Sequence, residues 1–162
     1  MDDTNLPAVS SRAEFEAAVS WALQAAHTRQ ARRLWLVDPD FADWPLGQPE
    51  FLAALQAWLR LPGRRLVMLA GRFDDVPRRN PRFVAWRRDW AHAIEAWSPP
   101  PEMARLPRLV VDDGPVCLHL FDSPQWRARA SLDAREARRW REELDVILQQ
   151  CEPAFPVQTL GL

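Results

Sequence analysis

Two short apolar runs, Leu34-Trp35-Leu36-Val37 and Leu66-Val67-Met68-Leu69-Ala70, constrain this chain more than any other feature. Runs this short, without polar alternation, suit strands buried on both faces, and such strands need helices packed against a sheet. Helical patterns stand between them. Ser11 to Glu14 reads as a capping box, and Phe15, Val19, Ala22 and Ala26 then recur at helical spacing to about Thr28. Pro49 suits a first helical position, Phe51, Leu52, Leu55, Trp58 and Leu59 form an apolar face, and Pro62-Gly63 ends it.

A third helix is expected from Pro81, since Phe83, Trp86, Trp90, Ile94 and Trp97 step by three and four up to the prolines 99–101. Leu109–Asp112 and Val116–Phe121 flank Asp113-Gly114, a hairpin signal. Ser131 is the expected cap of a last helix with Ala137, Trp140, Leu144, Ile147 and Leu148 on its core side. The expected fold class is α/β: a layered sheet of about four or more strands, a parallel core plus one antiparallel hairpin, and helices on the faces. Residues 1–152 read as one domain. The tail 153–162 is short and proline-spaced, and either docks on the body or marks a partner surface.

Composition removes several chemistries. All 21 cationic residues are Arg and none is Lys, which excludes a P-loop ATPase and a pyridoxal Schiff base. Codon usage of a GC-rich genome accounts for that most simply. The net charge of −1 argues against a nucleic-acid binder, although residues 60–90 carry nine Arg against three Asp. Cys117 and Cys151 have no zinc spacing and make no disulfide framework, and no apolar run approaches a membrane span of ~20 residues. With no signal-peptide pattern in Met1–Asn5, a soluble cytoplasmic protein away from membranes is expected.

The order of elements over about residues 12–123 resembles one half of the phospholipase D superfamily. Leu106-Pro107-Arg108-Leu109-Val110-Val111-Asp112-Asp113-Gly114 stands where that family carries His-x-Lys-x-x-x-x-Asp on a strand followed by Gly. Asp113 and Gly114 match, Arg108 takes the Lys position, and Leu106 takes the His position. The family's later Gly-Ser and Asn are absent, the stretch reading His119-Leu120-Phe121-Asp122-Ser123. The resemblance implies a His nucleophile on phosphorus, which Leu106 cannot provide. It therefore implies a degenerate, non-catalytic half, and pairing of halves as a homodimer.

Three groups of residues are candidates for a site. Arg72, Arg78 and Arg79, leading into a helix at Pro81, together with Arg108 suit a phosphate-bearing anion, because Arg forks bind it bidentately. Asp38, Asp40 and Asp43 follow the first strand, and Asp38 and Asp40 with Asp113 form the alternative Mg²⁺ site of a metal-dependent phosphoesterase or nuclease. Val37-Asp38-Pro39-Asp40 resembles the Asp-x-Asp of haloacid-dehalogenase phosphatases, which also need a Lys; turn chemistry is the preferred reading of it. The histidines 27, 92 and 119 lie apart, and His92 is expected to share a helix face with Arg88 and Glu95 as an ordinary ion pair. The expectation is a binding or interaction module for a phosphate-bearing anion, without a cofactor. The second alternative is a structural dimeric subunit holding a protein partner by its Trp-rich surface and tail.

Overall fold

The computed structural model describes residues 5–103 and 105–157. Helix α1 (Arg12–Thr28) begins at Ser11, whose hydroxyl accepts from the Glu14 N–H while the Glu14 carboxylate accepts from Ser10 and Ser11. The first apolar run is β1 (Arg33–Asp38) and the second β2 (Arg65–Ala70), paired in parallel from Arg33 with Arg65 to Asp38 with Ala70. A parallel pair cannot be closed by a hairpin, and α2 (Pro49–Leu59) supplies the crossover.

After β2 the chain forms the short α3 (Val76–Arg79) and α4 (Pro81–Asp89), then β3 (Ile94–Ser98), parallel to β2. The expected third helix is thus corrected. It stops at Asp89, with Trp90 as its cap, and Ile94 and Trp97 lie on a strand. In β3 the period is two: Ile94 and Ala96 face the helices α1 to α4, and Glu95 and Trp97 face the other side. The His92–Glu95 helix pairing falls with it, since Glu95 ion-pairs with Arg65 at 3.1 Å and accepts from the Trp97 indole.

Strands β4 (Leu109–Asp112), β5 (Cys117–Asp122) and β6 (Arg127–Ser131) continue the sheet antiparallel, and α5 (Ala134–Leu148) leads to a two-residue β7 (Glu152–Pro153) on β3. The strand order is β6-β5-β4-β1-β2-β3-β7. Ser131 belongs to β6, and the cap of α5 is Asp133, which accepts from the Arg135 N–H. The described part of the tail docks: Phe155 is buried and stacks on Phe73 and Phe83. Residues 158–162 lie outside the described residues.

Two apolar layers sandwich the sheet. Helices α1 to α4 pack on Leu34, Leu36, Leu66, Met68 and Val110, while α5 alone covers Trp35, Val37, Val67, Leu69 and Leu109. Among the described residues no helix is long and apolar enough to cross a membrane. Both cysteines are free thiols.

Candidate functional site

Open α/β sheets bind ligands where their parallel strands end. Here β1 ends at Asp38 and β2 at Ala70, and antiparallel β4 begins beside them, because Leu109 is the register partner of Val37. One step further, Arg108 meets Asp38: its guanidinium donates to Oδ1 at 3.1 Å. Asp38 is fully buried, and its other oxygen, Oδ2, accepts from the N–H groups of Asp40 (3.1 Å) and Phe41 (2.7 Å). Burial raises the pKa of this carboxyl, and the Asp40 N–H, Arg108 and the Phe41 N–H oppose the rise.

Those bonds close a tight turn that holds Phe41 at φ 59°, an unfavourable value for a bulky residue. The Phe41 ring repays it by packing edge-on against Trp44 at 5.0 Å and alongside Phe73. Asp40 accepts from the Ala42 N–H, so it too is engaged in turn bonding. Gly71 lies close to the same turn, and a Cβ there would meet the Pro39 carbonyl at 3.2 Å.

Asp113 does not join Asp38 and Asp40. Antiparallel pairing sets Asp112 beside Leu34, so Asp113 sits at the opposite end of the strands and accepts from the Arg32 N–H. Asp43 lies 3.9 Å from Arg12. Among the described residues no group of three or more His, Cys, Asp or Glu side chains could hold a metal ion. Leu106 is buried in the α5-side apolar layer.

The arginines of the basic loop divide. Arg72 and Arg78 both reach Asp75, at 3.6 and 3.3 Å, and Arg79 is exposed with no carboxylate partner among the described residues. Arg72 also lines a cleft of about 470 Å³ at the ends of β2 and β3, whose wall is Phe73, Val84 and Phe155. Phe155 is the residue that sequence reasoning missed here. Its signal is weak, an aromatic residue between two prolines, and its neighbours are about 70–80 residues away in the chain.

The His119 ring lies 4.6 Å from that of Trp140, tilted at 60°, between β5 and α5, and burial lowers its pKa. His27 and His92 lie in other parts of the fold.

No family model and no curated protein matches this sequence. Two solved structures are similar in fold, each at 12% identity. One is TrmBL2, an archaeal chromatin protein whose structure shows a novel mode of DNA binding; the TM-score is 0.60 over 93% of this chain and 56% of TrmBL2. This chain therefore spans little more than half the length of that protein. The other is Nuc from Salmonella typhimurium, a phospholipase D family member, at a TM-score of 0.56 over 86% of this chain and 91% of Nuc. Among the described residues, seven strands in mixed order with helices on both faces give this chain a phospholipase D-like fold.

Proposed function

We propose that this chain is a non-catalytic binding module of phospholipase D-like fold whose ligand is a phosphate-bearing anion. The observation that carries the reading is the head of β4. By the resemblance Leu106 takes the place of the imidazole that attacks phosphorus, and it is buried, while Arg108 is paired with a buried carboxylate. An apolar cleft rimmed by Arg72, with Arg78 and Arg79 on the adjoining helix α3, supports an anionic ligand with an apolar portion. Asp74 and Asp75 temper the charge there, which favours a small anion over a polyanion.

The same reading makes the protein a homodimer, by analogy with paired phospholipase D halves. Light scattering tests that separately. DNA binding such as that of TrmBL2 is not part of the reading, because the net charge is −1.

Thermal unfolding in phosphate tests the ligand class. Phosphate raises the melting temperature of the wild type, and the triple substitution Arg72→Gln, Arg78→Gln, Arg79→Gln diminishes that rise. A rise that the triple substitution leaves unchanged overturns the assignment to this cleft.

A further inference from the structure

The opposite end of the parallel strands holds a second cleft, of about 470 Å³, at the turn between α2 and β2 and the loop entering β3. Its lining includes Arg60, Gly63, Arg64, Arg65, Trp90 and His92, with no carboxylate among the lining residues. Arg65 is held by Glu95, but neither Arg60 nor Arg64 has a carboxylate partner among the described residues. Arg64 donates only to the Pro62 carbonyl, at 2.9 Å, and its Nε is buried without a hydrogen-bond partner. Arg33, the register partner of Arg65, continues the positive charge along that end.

The carbonyl end of α2 faces this turn and contributes about half a negative charge. Two unpaired guanidiniums outweigh it. Gly63, at φ 74° and with open space around its Cβ position, lets the turn reverse without a side chain obstructing the cleft. Beside the arginines, the Trp90 and His92 rings stack at 5.9 Å and 28°. Trp90 is half-buried, packing against the core beside Trp86, and His92 is exposed; both line the cleft next to the positive charge.

From this juxtaposition we infer a second binding site, distinct from the Arg72 cleft, for a phosphate ester that carries a planar ring, of the size of a nucleoside monophosphate. Arg60 and Arg64 take the phosphate oxygens, for which guanidinium forks are suited. The Trp90–His92 pair takes the ring face, as aromatic side chains do for bases.

Calorimetric titration of the full chain with AMP, ribose 5-phosphate and inorganic phosphate tests the assignment. AMP binds about tenfold more tightly than ribose 5-phosphate. Arg60→Gln with Arg64→Gln weakens AMP at least tenfold, and Arg60→Gln alone, at an exposed position that leaves the fold intact, weakens it measurably. The Arg60→Gln, Arg64→Gln pair weakens AMP by the same factor in an Arg72→Gln background, which separates this site from the one proposed above. Absence of AMP binding, equal affinity for AMP and ribose 5-phosphate, or affinity unaltered by the Arg60 and Arg64 substitutions overturns the inference.

Discussion

Arg108 donates to Oδ1 of Asp38 at 3.1 Å, joining the head of β4 to the end of β1 across 70 residues of chain. The pair occupies the end of the parallel strands, where a ligand site is expected, and ties it together internally. Removing one partner of a buried pair leaves an uncompensated charge. Because the guanidinium is 26% exposed, Arg108→Ala should cost less than a fully buried pair, ~2–3 kcal/mol near neutral pH. Urea unfolding checks this, and Asp38→Asn in the same background should recover part of the loss. The cost should also shrink as pH falls and the stranded Asp38 carboxyl takes up a proton.

Asp112 predicts a pH dependence. Burial pushes its carboxyl up to about 6, with the Asp113 charge adding to the rise and the N–H groups of Gly114 and Val116 opposing it. Its Oδ2 is buried with no partner. The folded chain therefore holds this proton more tightly than the unfolded chain does. The stabilisation is complete below about pH 4 and is lost as pH rises through about 6. Asp112→Asn keeps an oxygen for both N–H groups and cannot ionise. Relative to wild type it should gain on the order of 2 kcal/mol on going from pH 4 to pH 7.5. Equal pH slopes for the two proteins would contradict the burial argument.

Phe155 ties the end of the chain to the core. It stacks on Phe73 at 5.1 Å, and the buried Arg87 guanidinium lies 4.0 Å from its ring centre. Burial lowers the Arg87 pKa to about 10, and no carboxylate pairs with it among the described residues. Phe155→Ala should cost about 3 kcal/mol by leaving a cavity and uncovering Arg87. Val157→Ala, at an exposed position, should stay within about 0.5 kcal/mol of wild type. Thermal denaturation of the two variants compares them directly.

Much of this architecture is legible in the residues, and the exceptions have physical causes. Leu34–Val37 and Leu66–Ala70 announce buried strands because both faces are apolar, and Asp113-Gly114 announces its turn. Ile94–Ser98 satisfies two periods at once. Ile94 and Trp97 extend the helical spacing of Phe83, Trp86 and Trp90, and no Gly or Pro marks the break at Trp90. Arg127-Ala128-Arg129-Ala130 alternates as a half-exposed strand should, but alanine is a poor strand signal. The two-residue β7 depends on pairing with β3, which no local pattern encodes.

At the candidate site, residue types were readable and their grouping was not. Asp38, Asp40 and Asp113 all follow apolar runs, but the antiparallel register of β4 sends Asp113 to the far end of the strands and brings Arg108 to Asp38. Strand direction decides this, and strand direction is a property of the whole sheet.

A phosphorus NMR spectrum of a simple phosphodiester mixed with the protein, recorded over time with and without Mg²⁺ or Mn²⁺, tests the central claim most directly. The account predicts that the diester resonance broadens on binding, that Arg72→Gln reduces the broadening, and that no phosphomonoester resonance grows in. A monoester resonance that grows with the wild type and is lost with Asp38→Asn would contradict it.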